Sequence, residues 1–560
     1  KADVTFKHDG VTYTREYFAS NPDNVMVARL TASKAGKLNF NVSMPTNTNY
    51  SKTGETTTVK GDTLTVKGAL GNNGLLYNSQ IKVVLDNGEG TLSEGADGAS
   101  LKVSDAKAVT LYIAAATDYK QKYPSYRTGE TAAEVNTRVA KVVQDAANKG
   151  YTAVKKAHIA DHSAIYDRVK IDLGQSGHSS DGAVATDALL KAYQRGSATT
   201  AQKRELETLV YKYGRYLTIG SSRENSQLPS NLQGIWSVTA GDNAHGNTPW
   251  GSDFHMNVNL QMNYWPTYSA NMGELAEPLI EYVEGLVKPG RVTAKVYAGA
   301  ETTNPETTPI GEGEGYMAHT ENTAYGWTAP GQSFSWGWSP AAVPWILQNV
   351  YEAYEYSGDP ALLDRVYALL KEESHFYVNY MLHKAGSSSG DRLTTGVAYS
   401  PEQGPLGTDG NTYESSLVWQ MLNDAIEAAK AKGDPDGLVG DTTDCSADNW
   451  AKGDNGNFTD ANANRSWSCA KSLLKPIEVG DSGQIKEWYF EGALGKKKDG
   501  SAISGYQADN QHRHMSHLLG LFPGDLITID NSEYMDAAKT SLRYRLSLIH
   551  ILTLPTICSV

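Results

Sequence analysis

Four clusters after residue 230 hold the side chains best suited to chemistry. The first runs from Asn231-Leu-Gln-Gly-Ile-Trp to Trp250-Gly-Ser-Asp-Phe-His-Met-Asn-Val-Asn. Within it, Asn257 and Asn259 are two residues apart, so their side chains share one side of an extended chain but diverge on a helix. They are expected at a loop-to-helix junction, where helix capping is the bland alternative to a functional role. The second cluster leads from His319-Thr-Glu-Asn to Ser335-Trp-Gly-Trp-Ser-Pro. It offers Glu321 as a hydrogen-bonding carboxylate and Trp336 and Trp338 as a stacking platform, although core packing explains an isolated Trp better. The third, Tyr399-Ser-Pro-Glu-Gln-Gly-Pro, holds Glu402 between Pro401 and Gly404 on a rigid loop rather than a solvated helix face. Surface exposure is the ordinary fate of a lone Glu. The fourth, Asn510-Gln-His-Arg-His-Met-Ser-His, combines His512, His514 and His517 with Arg513. His512 and His517 bracket a short span that superficially suggests a metal. No acidic partner follows a zinc-protease spacing and no Cys ligands accompany them, so neither a metal nor another cofactor is expected. An Arg–His pair gripping hydroxyl groups is the better reading.

These clusters need elements to hold them. Residues 1–125 contain short alternating apolar runs, such as Ile81-Lys-Val-Val-Leu and Val109-Thr-Leu-Tyr-Ile, separated by Gly, Asn and Asp turns. That pattern predicts a β-sandwich. From Thr131 to Val169, apolar residues fall at helical spacing with an interruption at Lys149-Gly150, so 126–200 reads as a helical linker. From 201 to 545 long helices alternate with long Gly- and Trp-rich loops. The clearest helices are expected near 203–217, 258–287, 341–356, 360–383, 413–432 and 533–545. Loops as long as 221–256 and 299–339 are usually functional when ordered. Alternation of this kind predicts an α/α barrel with its site at one rim, in a multidomain chain.

Composition narrows the ligand. A net charge of −13 without long runs of one sign argues against nucleic acid and anionic membranes. No apolar run reaches membrane-spanning length. The chain carries 32 Tyr and 11 Trp against 9 Phe, favouring rings that stack while keeping a polar edge wet. Of the three cysteines, Cys445 and Cys469 flank a polar loop that a disulfide can close, which suits an oxidising compartment.

Together the four motifs resemble glycoside hydrolase family 95, over nearly the whole chain and in the family's order. The resemblance implies an (α/α)6 barrel behind a β-sandwich and release of terminal α-1,2-linked L-fucose from oligosaccharides or glycoconjugates, with inversion. It implies an extracellular or cell-surface bacterial enzyme. It places the general acid on Glu402 and the asparagines holding the attacking water on Asn257 and Asn259. Sugar-binding roles fall on Glu321, Trp336, Trp338, Arg513, His514 and His255. An α-L-galactosidase of the same fold, or a carbohydrate-binding fragment without catalysis, are the competing readings.

Inversion needs a protonated acid on one side and a base on the other, with room for water between. The acid must keep its proton until the leaving oxygen takes it, so a raised pKa is expected for Glu402. An amide cannot accept a proton near neutral pH, so a carboxylate behind Asn257 and Asn259 must do so. In the family this is an Asp in an Asp-Gly-Asn-type motif downstream, and no such motif lies between Met515 and Arg545. The base and the last barrel helices are therefore expected to be missing. Lys1 in place of an initiator Met suggests a trimmed start. The run from Leu546, which abandons the preceding composition, resembles a translated sequencing adaptor, so 546–560 is expected to be foreign.

Overall fold

The computed structural model describes residues 2–45, 50–174, 184–236, 249–331, 337–386, 390–489, 512 and 514–552, with backbone alone at 87, 403–407 and 546–552. The chain divides into two compact units, Lys1–Lys170 and Ile171–Val560.

Among the described residues, the first unit contains ten strands: β1 (Ala2–His8), β2 (Val11–Ser20), β3 (Val25–Ala32), β4 (Leu38–Val42), β5 (Lys52–Lys60), β6 (Thr63–Leu70), β7 (Leu76–Leu85), β8 (Thr91–Glu94), β9 (Leu101–Ala106) and β10 (Ala108–Thr117). Seven of them form an antiparallel sheet in the order β1-β2-β3-β10-β7-β6-β5, and β4-β9-β8 form a second sheet. Leu64, Ile81, Val83 and Val109 of the first share one core with Leu38, Val42, Leu101 and Val103 of the second. Alternation along each strand produces this, since every second residue faces inward. The opposite face of the large sheet is covered by α1 (Ala132–Lys149) and α2 (Tyr151–Tyr166). Val139, Val143, Ala146 and Val154 pack there on Phe18, Val25, Val27 and Tyr112. The helices expected in a separate linker thus belong to the sheet unit, because their apolar stripe has the sheet to bury it. Gly150, at φ 80°, ends one helix and starts the next where the interruption was read.

In the second unit, the described helices are α3 (Thr186–Gln194), α4 (Thr200–Ser221), α5 (Asn259–Ser269), α6 (Glu277–Ala298), α7 (Ala342–Ser357), α8 (Pro360–Phe376), α9 (Thr412–Ala431), α10 (Trp467–Leu473) and α11 (Ser532–Leu552). Every residue of α7 from Ala342 to Tyr351 is buried, and α9 is buried on nearly all sides. These two are central, and α5 and α8 pack against α7. An all-round apolar helix has no other place.

Two helix boundaries differ from the sequence reading. The helix expected over 258–287 is two helices, parted at Asn271, whose φ of 56° is left-handed, and by a tight turn over Gly273–Ala276. The helix expected to reach 383 stops at Phe376 and widens into a π turn, Tyr377–Met381. The boundary expected at 546 falls inside α11. α5 begins within the first chemical cluster, at Asn259, and α7 begins two residues after the second.

Candidate functional site

Glu402 sits at the tip of a hairpin between β11 (Val397–Ser400) and β12 (Gln403–Asp409), where Ser400 pairs with Gln403. Pro401 and Glu402 are therefore the two corner residues. Pro fixes the first corner, and Glu402 takes φ 58° at the second, a position that usually goes to Gly. A non-glycine residue there stores about 1 kcal/mol or more of strain, which surrounding contacts must hold.

The first cluster meets this tip. Asn257 Nδ2 lies 3.5 Å from Glu402 Oε1, and Asn257 is buried. Its neighbour Val258 adopts φ 153°, an outlier for a β-branched residue, and Asn259 is the first residue of α5. The strained Val258 is what switches the chain from loop to helix between the two asparagines. The segment is held from outside by backbone pairing: Phe254 N donates to Asn322 O at 2.9 Å and Met256 N to Thr320 O at 2.7 Å. That pairing brings the Glu321 segment alongside the asparagines. A side chain at Gly331 would collide with the Glu321 carboxylate, and one at Gly337 with the Gly331 backbone, so only glycine permits these two close approaches. His255 Nδ1 stands 2.9 Å from Asp253 Oδ2, which orients the ring.

His319 is fully buried, and burial pushes its pKa down to about 3, so the ring is neutral. Ser339 N donates to its Nδ1, leaving the proton on Nε2. Trp338 donates its indole N–H to Val397 O at 2.9 Å and packs its ring on His319 and Tyr297. It thereby ties the second cluster to the hairpin that carries Glu402.

The fourth cluster divides. His514 Nε2 is 3.3 Å from Glu402 Oε2, and His512 Nε2 is 3.2 Å from Glu402 O. His517 turns away into the core, where its Nδ1 lies 3.0 Å from Glu487 Oε2. Trp336 and Arg513 lie outside the described residues. Sequence reading missed Glu487 altogether. It stands alone in Ile485-Lys-Glu-Trp, with no neighbouring residue to mark it, and only its burial gives it meaning.

A carboxyl on a strained turn, flanked by an amide on one side and imidazoles on the other, can give or take a proton at a substrate oxygen. That site lies on the helical unit, which follows the sheet-rich one along the chain. The comparisons then give the family. Residues 150–551 match the glycosyl hydrolase family 95 catalytic domain, and the chain belongs to that family. Residues 1–122 match the glycosyl hydrolase family 65 N-terminal domain. Among curated relatives, the chain is 29% identical to "Probable alpha-fucosidase A" of Aspergillus niger, over 96% of this chain and 61% of that protein. It is 28% identical to "Alpha-L-fucosidase 2" of Arabidopsis thaliana, over 97% of this chain and 60% of that protein. The chain thus spans about three fifths of the length of the relatives it matches. In fold it is similar to a solved structure titled "Putative kojibiose phosphorylase from human microbiome", with a TM-score of 0.55 at 10% identity, covering 87% of this chain and 57% of that one. No helix among the described residues is long and apolar enough to cross a membrane.

Proposed function

We propose that the protein releases terminal α-1,2-linked L-fucose from glycans with inversion, in an (α/α)6-type barrel formed by the second unit. The observation that carries this reading is the placement of Glu402 between Asn257 and His514. In the reaction, Glu402 protonates the glycosidic oxygen as the bond to the anomeric carbon breaks. Asn257 and Asn259 hold the water that attacks the opposite face. Inversion also requires a second carboxylate, distinct from Glu402 and behind the asparagines, to take the water's proton. Glu321, His255, Trp338 and His514, with Trp336 and Arg513, bind the sugar. The disulfide between Cys445 and Cys469 supports an oxidising, extracellular or cell-surface setting.

The test is proton NMR of the sugar freed from an α-1,2-fucosyl oligosaccharide by the full-length gene product. β-L-Fucose is expected first, and Glu402→Gln is expected to remove the 10²–10⁴-fold that general acid catalysis typically supplies. First appearance of the α-anomer, or an unimpaired Glu402→Gln enzyme, would overturn the reading. Trp336→Ala is expected to weaken fucose binding by roughly 1–3 kcal/mol in calorimetry, the worth of a buried large apolar side chain.

A further inference from the structure

Beneath the hairpin tip lies a charged cluster with no exposed member. Glu487 is 0% exposed. Its Oε1 accepts hydrogen bonds from Ser400 Oγ, two residues before Glu402, and from Ser516 Oγ at 2.5 Å. The two serines also meet each other at 2.9 Å. Its Oε2 faces His517 Nδ1 at 3.0 Å and the Arg545 guanidinium at 3.9 Å. Burial would raise the Glu487 pKa, but the His517 and Arg545 charges and the Ser400 hydroxyl outweigh it and hold it down to about 2. Arg545, 2% exposed, donates to His512 O at 2.7 Å and to His514 O at 3.2 Å. Thr412 N donates to Glu487 O, which anchors the carboxylate's own backbone to the start of α9.

We infer that Glu487 is a positioning residue, which through Ser400 fixes the strained turn bearing Glu402 and through Arg545 fixes the backbone of His512 and His514. One ionised group thus sets the acid and the imidazole facing it in a single frame. The turn is left-handed at a Glu, and the His512–His514 backbone carbonyls are satisfied by Arg545 rather than by a helix or strand. Misplacing an acid by about 1 Å can cost on the order of 10²-fold in rate, so such a frame has a functional consequence.

The inference rests on the reading of Glu402 as the acid, and two measurements separate them. The first needs no turnover. With histidine rings ¹³C-labelled, the His514 titration is identified by its loss in His514→Gln and followed by NMR. It is expected to be displaced in Glu487→Gln and in Ser400→Ala, and to return towards wild type in Glu487→Asp. Superimposable curves in the Glu487→Gln and Ser400→Ala proteins would overturn the inference whatever the substrate is. The second compares a natural fucosyl oligosaccharide with an aryl fucoside whose leaving group needs no protonation. Ser400→Ala, which keeps the Glu487–Arg545 pair and is the variant to use should Glu487→Gln not fold, is expected to lose kcat roughly 10²-fold on the first and far less on the second. Equal losses on both would show a merely structural serine and reject the positioning role. A wild-type enzyme inactive on both fucosides would sink the fucosidase reading, and the histidine titration would then decide the inference alone.

Discussion

Two sets of carboxylates are equally buried in the helical unit and hold their protons in opposite ways. Glu487, under the hairpin tip, is kept ionised, at a pKa of about 2, by His517, Arg545 and Ser400 against the effect of burial. Glu373 on α8 and Glu414 on α9, both facing Tyr377, are pushed well above the usual carboxylate range by burial. The charge of Glu372 raises Glu373 further, while the Thr395 hydroxyl only partly offsets burial at Glu414. No ion pair among the described residues involves Glu373 or Glu414. Burial alone therefore does not set protonation; the presence of a cation within a few ångströms does. The ionised set lies where two loops must be held in register. The neutral pair lies between packed helices, where a protonated carboxyl serves as a compact polar filler.

The comparison can be broken most forcefully at Arg545. Arg545→Leu leaves Glu487 with less compensation and frees two carbonyls. Urea denaturation is expected to show a loss of about 3–5 kcal/mol, the usual cost of removing one partner of a buried pair. A loss below about 1 kcal/mol would mean that the cluster holds nothing together.

The next effect is in pH, and its sign differs between the two sets. Glu487 has a folded pKa of about 2 against an ordinary 4.5, so its stabilisation is complete above pH 4.5 and is lost as pH falls through about 2. His319, held neutral at about 3 against 6.5, acts in the same direction, its contribution being complete above pH 6.5 and lost as pH falls towards 3. Glu373 and Glu414 act oppositely. Their folded values are raised, so their contribution is complete below pH 4.5 and declines as pH rises. Melting temperatures measured across pH are expected to fall less steeply on the acid side in His319→Gln than in wild type. An unchanged acid limb would show that His319 is already protonated in the folded chain.

The smallest effect is expected at Glu414→Gln. Replacing an already neutral carboxyl by an amide of the same shape should change stability by no more than about 1 kcal/mol near pH 4. Relative to wild type, the variant should gain as pH rises to 8, because an amide has no proton to lose. A large loss at both pH values would place Glu414 in an ion pair rather than in a neutral packing role.

Much of the frame was readable from residue order. Strand alternation, the helix break at Gly150 and the gathering of chemistry into four loops all follow from short-range periodicity and turn chemistry, which a linear pattern contains. The break at Asn271 escaped because an apolar run at helical spacing continues across it, and left-handed Asn leaves only a weak local mark. Glu487 escaped because a single Glu in Ile485-Lys-Glu-Trp resembles any surface Glu until its neighbours are known.

The sequence by itself determined which residue types are available and on which loops they ride: a Glu locked behind a Pro, paired asparagines ahead of a helix, and a His-rich segment. Tertiary structure alone decided their relations. It put Asn257 and His514 on two sides of Glu402 across 145 and 112 positions of chain, and it turned His517 inward to a carboxylate that the sequence does not mark. The physical reason is that the protonation and orientation of a polar group depend on what lies within about 4 Å of it, and among packed helices those neighbours come from remote parts of the chain.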